Sequence, residues 1–240
     1  MIPKIIHYCW FGRKPKQSSF KRYLKTWQSI LYDYKIIEWN EDNSNLDCCQ
    51  FCRDAYNNNR FAYVSDVIRL KALYEYGGIY LDTDVEIVSS FDKYLNLKAF
   101  LSFENENLIG TGVIGAEKGS LFIRDFLDVY KSKEFVNDTR DQMQTNTIIA
   151  RSILIKKGVL FDNTRKSINN YIDIFPSDFF SAKNSQTGVL NITENTCSIH
   201  HFAASWFTPR QQFNYRVSII LHKLGLWNLF LLLKERKLVK

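Results

Sequence analysis

The sequence predicts an α/β domain in which helices alternate with the strands of a partly parallel sheet. Short apolar runs that end at turn residues alternate with segments of helical spacing through the first part of the chain, a pattern typical of α/β sheets. The chain has 240 residues, of which 45% are hydrophobic and 24% charged. It can therefore bury a sizeable core, and the composition excludes wholesale disorder and a polytopic membrane protein.

The elements follow in order from periodicity and turn residues. Ile5 to Phe11 is an apolar run ended by Gly12 and predicts a buried first strand. The pattern then predicts a helix over 18–31, a strand over 34–39, a helix over 60–76, strands over 79–81, 85–88, 99–103 and 108–116, helices over 120–131 and 141–156, and strands over 172–175 and 197–202. Gly77-Gly78 suits the positive φ that ends the helix over 60–76.

The last stretch differs from the rest. We predict a domain over residues 1–208 and an amphipathic, basic helical tail over 209–240, which is very apolar between Leu226 and Leu233. The tail holds most of the net charge of +7, so the body is nearly neutral, which does not favour binding of nucleic acid. No uncharged run reaches the ~20 residues that a membrane span needs. The alternatives are a helix lying at a membrane surface and a helix docked on the domain or on a partner chain.

The cysteines and the N-terminal sequence indicate the cellular compartment in which we expect the protein. The five cysteines are odd in number, and three of them crowd together at positions 48, 49 and 52, which favours free thiols in a reducing compartment over a disulfide framework. The apolar run at the N-terminus is too short for a secretory signal. We therefore expect a cytoplasmic protein. If the tail lies at a membrane surface, it would attach the protein peripherally to the inner face of the cell membrane.

The most informative stretch runs from Phe61 to Glu86. Asp66 and Arg69 are three residues apart on a predicted helix and share one face, and because apolar residues surround them they need partners or a polar ligand. The next strand ends in Asp82-Thr83-Asp84, and in an extended segment this spacing puts both carboxylates on one side. Two carboxylates at the end of a strand suit Mg²⁺ or Mn²⁺ holding a diphosphate.

Two other functions share parts of this pattern. A phosphatase or phosphotransferase with an aspartyl nucleophile also has a DxD strand end, but Glu86 stands where that class has a small Thr or Val. A non-catalytic module could instead use the tail and the aromatic side chains, 15% of the chain, to bind membrane or glycan.

Three blocks of the sequence resemble glycosyltransferase family 32, the DxD sugar transferases that include fungal Golgi mannosyltransferases and bacterial capsule and lipopolysaccharide transferases. The clostridial glucosylating toxin domains are similar. The blocks are I-P-K-I-I-H-Y-C-W-F-G, S-D-x-x-R-x-x-x-L-x-x-x-G-G-x-Y-L-D-x-D and I-H-H-F-A-A-S-W. Arg13 is a departure, because many relatives have a second glycine there.

The resemblance implies a GT-A (Rossmann-like) nucleotide-sugar-binding fold with a helical C-terminal extension. It also implies a Mn²⁺ or Mg²⁺ cofactor and a retaining transfer from a nucleoside-diphosphate sugar, with a UDP-sugar favoured. The acceptor would be a hydroxyl of a glycan or lipid-linked glycan, in the synthesis of capsular or other surface polysaccharide.

The same resemblance implies roles for individual residues. Asp66, Arg69 and Asp84 are the implied catalytic residues, the first two gripping the donor sugar and the third binding the metal. The implied donor-binding residues are Trp10, which stacks on the base, and Tyr80, Asp82, Ser205 and Trp206. The implied metal ligands are Asp82, Asp84 and one histidine. Only one of His200 and His201 can face inward from a strand, and we favour His201.

Overall fold

A computed structural model describes residues 1–136, 145–203 and 209–226. In chain order, the elements are β1 (Ile5–Cys9), α1 (Ser18–Ile30), β2 (Lys35–Trp39), α2 (Gln50–Asn57), α3 (Phe61–Tyr76), β3 (Gly78–Leu81), β4 (Val85–Ile87), β5 (Ala99–Asn105), β6 (Leu108–Ala116), α4 (Leu121–Ser132), α5 (Asn146–Lys156), β7 (Lys166–Ile168), β8 (Ile172–Phe175), α6 (Ser177–Phe180), β9 (Ser198–His200) and α7 (Pro209–Lys223). A 3₁₀ turn over Asp92–Tyr94 lies between β4 and β5. The predicted α/β class is confirmed.

The main sheet has seven strands in the order β2-β1-β3-β6-β5-β8-β7. Strands β2, β1 and β3 are parallel, whereas β6 runs antiparallel to both β3 and β5. Parallel strands share their carboxyl edge, so the residues that follow β1, β2 and β3 emerge at one edge of the sheet, where open α/β sheets bind ligands.

Each face of the main sheet packs on a separate hydrophobic core. Helices α2, α3, α4 and α5 supply the core on one face, with Phe51, Leu70, Phe126 and Leu154 among its buried side chains. Helix α1 and strand β4, which pairs with β9, supply part of the core on the other face. Strand β4 is therefore held by α1 and β9, which positions the chain immediately before it.

The predicted elements agree with most of these bounds. The helix expected over 60–76 is α3, and the strand expected over 79–81 is β3. Elements α2, β7 and α6 were not predicted; each is eight residues or shorter. Residues 141–144, the predicted start of the helix over 141–156, lie outside the described residues.

The C-terminal helix α7 contacts the body of the domain. The Tyr215 hydroxyl donates to the Ser185 carbonyl (2.8 Å), and a Cβ added at Gly188 would lie 3.0 Å from Ile219. Among the helices that the structure describes, none combines the length and the apolar character that a membrane crossing requires. The tail expected over 209–240 is described only as far as residue 226.

Candidate functional site

The two aspartates of the D-T-D motif lie at a turn between β3 and β4. The Asp82 N–H donates to the Gly112 carbonyl of β6 (2.8 Å), and the Val85 N–H donates back to the Asp82 carbonyl (3.0 Å). Thr83 and Asp84 therefore occupy a turn rather than an extended strand. This corrects the expected reason for their proximity, because the turn and not strand alternation brings the two carboxylates together.

A histidine completes this cluster. Ligand atoms of Asp82, Asp84 and His200 all lie within 4.8 Å of one another, and His200 Nε2 is 3.1 Å from Asp84 Oδ1. The expectation that His201 faces the site is wrong: its Nε2 lies 2.8 Å from a carboxylate oxygen of Glu86. Neighbouring residues at the end of a strand point to opposite sides, so only one of the two rings can reach the aspartates.

The protein alone holds Asp84 and His200 as an ion pair. Burial by itself raises the pKa of Asp84, but His200 and the Ala203 N–H, 2.7 Å from Oδ2, lower it to about 2. Burial lowers the pKa of His200, but Asp84 and then Asp82 raise it to about 9. Both groups are therefore charged at neutral pH.

The donor set fits a divalent metal ion. Two carboxylates suit Mg²⁺ or Mn²⁺, and an imidazole is a better ligand for a first-row transition metal. The Nδ1 atom of His200 is buried and has no hydrogen-bond partner among the described residues. Because metal ligands must be deprotonated, an ion held by His200 would take the place of the proton that pairs with Asp84.

Arg69 links the helix face to the D-T-D turn. The Asp66–Arg69 pair expected on one face of α3 forms an ion pair of 3.1 Å, and Arg69 also lies 3.1 Å from Asp82 Oδ1. The guanidinium donates to the carbonyls of Ser65 (3.2 Å) and Thr111 (3.0 Å). These four contacts occupy most of the five N–H donors of an arginine, so Arg69 mainly holds the two carboxylates in position.

Burial decides the charge state of this network. Desolvation raises the pKa of Asp66 to about 6, although the charge of Arg69 opposes that shift. Desolvation lowers the pKa of Arg69, but Asp82, Tyr80 and Asp66 outweigh it and raise that pKa. The guanidinium is therefore a fixed positive charge beneath the acidic turn.

Two aromatic side chains border the site. Tyr80 is buried, its hydroxyl donates to Asp82 Oδ1 (2.9 Å), and Arg69 lies 4.3 Å from the centre of its ring. Trp10 follows β1, its indole N–H donates to the Lys14 carbonyl (2.8 Å), and its half-buried ring is stacked on Phe20 with centroids 5.7 Å apart. Ser205 and Trp206 lie outside the described residues.

The far wall of the site includes the end of β5. The Glu104 side chain, at the end of β5, is largely desolvated, which raises its pKa although Ser185 and His200 act to lower it. The Tyr215 hydroxyl lies on the same side through its bond to Ser185. Polar Glu104 precedes the glycine-rich strand β6, but only the long-range fold brings it toward His200.

Gly112 allows His200 to approach Asp82. A Cβ at this position would lie 2.8 Å from both Cε1 and Nδ1 of His200 and 3.1 Å from Asp82 Oδ2. A Cβ atom cannot lie this close to its neighbours. In a packed interior, the imidazole ring of His200 would therefore have to move. The cluster of Asp82, Asp84 and His200 therefore requires glycine at position 112.

We expect Gly112→Ala to weaken divalent metal binding by about 10–100-fold, because the displaced imidazole no longer shares a centre with the aspartates. Unfolding free energy should fall by about 1–3 kcal/mol. Calorimetric titration with Mn²⁺ measures the first effect and thermal melting the second. Gly110→Ala is the matched control, since its nearest atom is the Ser181 hydroxyl at 3.0 Å; equal loss of metal binding in both variants would contradict the prediction.

Part of the chain that contains the D-T-D turn matches a known protein family. Residues 17–101 match the family model described as "Glycosyltransferase sugar-binding region containing DXD motif". The matched segment begins just before α1 and ends within β5, so it includes α3 and the D-T-D turn.

Two curated proteins are similar to about half of the chain. Inositol phosphoceramide mannosyltransferase 3 of Schizosaccharomyces pombe is 29% identical over 130 residues, which is 51% of this chain and 35% of the relative. An uncharacterized protein of Arabidopsis thaliana is 28% identical over 124 residues, which is 52% of this chain and 18% of the relative. The aligned part of the chain thus spans only about a third and about a fifth of these proteins.

Solved structures show weaker similarity. The PaToxG glycosyltransferase superposes with a TM-score of 0.49 at 18% identity, covering 65% of this chain and 69% of that one. The galactosyltransferase LgtC superposes with a TM-score of 0.48 at 13% identity, covering 91% and 95%. Scores below 0.5 are too low to transfer any property to this chain.

Residues 17–101 are thus similar to the DXD-containing sugar-binding region of glycosyltransferases, and one curated relative of this chain is called a mannosyltransferase. These matches bear out the resemblance that the three sequence blocks carry. The mixed sheet, with the D-T-D turn at the end of β3, agrees with the GT-A fold that the resemblance implied.

Proposed function

We propose that the protein is a metal-dependent, retaining glycosyltransferase that moves a sugar from a nucleoside-diphosphate sugar to a hydroxyl of a glycan or lipid-linked glycan. A UDP-sugar is the favoured donor, and synthesis of capsular or other surface polysaccharide is the favoured context. The observation that carries the proposal is the cluster of Asp82, Asp84 and His200 at the end of β3, within a chain that matches the DXD family model.

The cluster suits Mn²⁺ or Mg²⁺, with Asp84 and His200 as the proposed direct ligands and Asp82 beside them. A bound ion would neutralise the charge that develops on the diphosphate leaving group. The imidazole favours Mn²⁺ over Mg²⁺. Arg69 keeps Asp82 oriented toward this centre through its 3.1 Å contact.

The remaining predicted residues surround the donor. Trp10 leaves β1 at the carboxyl edge of the sheet with its ring half-buried, which leaves part of the ring for stacking on the base. Asp66 is held at the same edge by Arg69 and is proposed to orient the sugar hydroxyls. Ser205 and Trp206 are proposed to contact the diphosphate. No nucleophile is assigned, and we favour front-face attack by the acceptor.

A panel of nucleotide sugars tests this function. The protein is incubated with each donor and Mn²⁺, and release of the nucleoside diphosphate is measured with and without EDTA. The panel includes GDP-mannose beside the UDP-sugars, because the yeast relative is called a mannosyltransferase. We expect metal-dependent turnover of one donor. Hydrolysis of a phosphomonoester with no turnover of any sugar nucleotide would contradict the proposal.

We expect His200→Ala to weaken Mn²⁺ binding by about 100-fold or more, because it removes a direct ligand. The same substitution at His201 should leave metal binding within about twofold, since His201 contacts Glu86 and Tyr23 instead. Titration of the two variants with Mn²⁺ decides between the neighbouring histidines. A stronger effect at His201 would show that the assignment is reversed.

We also propose that residues 1–208 form the catalytic unit and that the tail over 209–240 attaches it peripherally to the inner face of the cell membrane. On α7, Phe213 (67%) and Ile220 (55%) are exposed large apolar side chains, with basic Arg216 and Lys223 on the same helix. Apolar and basic groups together are the chemistry that binds anionic lipid surfaces.

Flotation with liposomes tests this attachment. We expect the protein to float with vesicles that contain phosphatidylserine and not with pure phosphatidylcholine, because the basic residues need an anionic surface. Phe213→Ser with Ile220→Ser should reduce flotation severalfold, while the exposed Val136→Ser, outside the tail (57% exposed), should not. Equal flotation of all variants would contradict a role for α7.

A further inference from the structure

A groove along α3 takes no part in the proposed reaction. One cavity of about 220 Å³ lies between α3, the end of β2 and the loop 43–45. A second, more open depression of about 540 Å³ is lined by Tyr74, Glu75, Tyr76, Lys118 and Gly119. Glu75 and Tyr76 border both depressions, which are together called here the α3 groove.

Aromatic rings form part of the floor and wall of the α3 groove. The rings of Trp39 and Tyr76 lie with centroids 5.6 Å apart and are tilted by 39°. The Trp39 indole N–H donates to Nδ1 of buried His7 (3.1 Å), and His7 Nε2 lies 2.8 Å from the Gly77 carbonyl, to which it donates. Trp39 is thereby locked with its polar edge turned inward. Tyr76 is 49% exposed and supplies an accessible ring.

Hydrogen-bonding groups surround these rings. Ser44 and Asn45 line the groove from the loop, and Lys71 and Glu75 form an ion pair along α3. Lys118 is exposed at the other end and has no ion pair among the described residues. A pyranose ring has an apolar face of C–H groups and polar hydroxyl groups around its edge. The aromatic rings of the groove match the first, and the hydroxyl, amide and charged groups at its rim match the second.

The direction of the α3 groove relates it to the site. Trp39 ends β2, and its carbonyl accepts a hydrogen bond from the backbone N–H of Trp10 (2.8 Å). The end of the α3 groove at Trp39 therefore adjoins the carboxyl edge of the sheet, which holds the D-T-D turn. Lys118 and Gly119 follow β6, whose last residue Ala116 pairs with Gly78 at the start of β3. The groove therefore leads from the edge of the site toward the opposite edge of the sheet.

We propose that the α3 groove binds a glycan chain, as an anchoring site for an acceptor polysaccharide away from the reacting hydroxyl. The choice of a glycan rests on the proposed function, whereas the binding site itself rests on the rings and polar groups described above. A chain held along α3 raises the local concentration of acceptor ends near the donor.

Affinity electrophoresis tests the anchoring site directly. The protein is run in native gels cast with dextran, yeast mannan, barley β-glucan or hyaluronan, in the presence of EDTA and without donor. We expect at least one polysaccharide to retard the protein, and Tyr76→Ala to raise its dissociation constant about five- to tenfold. Lys118→Ala should weaken the same interaction. Tyr32→Ala removes another exposed tyrosine (83%) and should leave retardation unchanged.

The outcomes separate this inference from the proposed function. Retardation by none of the four polysaccharides overturns the anchoring site, as does equal binding by wild type and Tyr76→Ala, or an equal loss in Tyr32→Ala. The same gels are run with Asp84→Asn, which we expect to bind polysaccharide normally. If nucleotide-sugar turnover fails while retardation persists, the proposed reaction is wrong and the groove stands; the reverse result overturns the groove alone.

Discussion

Replacing Asp84 with Asn is expected to abolish metal-dependent sugar transfer while the chain stays folded. The amide keeps the shape of the side chain but removes the charge that binds the cation. A bound metal contributes several kcal/mol of charge stabilisation at a phosphoryl oxygen, so kcat should fall by about 10³-fold or more. Turnover of the donor identified by the nucleotide-sugar panel measures the loss, and circular dichroism checks the fold.

The control for Asp84→Asn is Asp128→Asn. Asp128 lies on α4 and its side chain, 52% exposed, pairs only with Lys131 among the ion pairs of the described residues, a contact of a kind that contributes little to stability. Its variant should retain full activity. Wild-type turnover in Asp84→Asn, or turnover of the native protein that EDTA does not reduce, would contradict the metal role of the D-T-D turn.

The central part of the site could be predicted because its signals are local. Helical spacing places Asp66 and Arg69 on one face of α3, and the ion pair observed between them follows from that spacing alone. The strand before Asp82 is a short apolar run that follows a Gly-Gly pair and stops at the polar D-T-D sequence, so its bounds were also predictable. Carboxylates at such an end sit where α/β sheets bind ligands.

The identity of the histidine could not be predicted, because it depends on contacts that are remote in sequence. His200 and His201 have the same chemistry and differ only in which side of the chain they face. The pairing of Val85 with His200 between β4 and β9 sets that orientation, and it joins residues more than a hundred positions apart. The close approach of Gly112 to His200 has the same origin.

The short helix α2 was missed for an energetic reason. Its eight residues, Gln50–Asn57, are too few for a helix to be stable by itself. It forms because Phe51, Cys52 and Ala55 are buried in the core beside α3. Tertiary packing supplies the stability that local propensity lacks, and sequence periodicity over two turns does not register it.

Replacing Arg69 with Met is expected to destabilise the fold by about 3–5 kcal/mol. The side chain of Arg69 is only 7% exposed, and its removal leaves the carboxylates of Asp66 and Asp82 without their shared cation. An unpaired charge in such a place costs far more than the original pair contributes. The carbonyls of Ser65 and Thr111 also lose a donor. Chemical denaturation measures the change in the free energy of unfolding.

Two further variants show whether stranded charge is the cause. Arg53→Met removes an arginine whose partner Asp47 is 71% exposed, and a surface pair of this kind should change stability by less than about 1 kcal/mol. Adding Asp66→Asn to Arg69→Met removes one of the two stranded carboxylates, so part of the lost stability should return. If Arg69→Met proves as mild as Arg53→Met, the guanidinium does not hold the acidic turn in place. A double variant no more stable than the single one would instead attribute the loss to packing around Tyr80, whose ring lies 4.3 Å from the guanidinium.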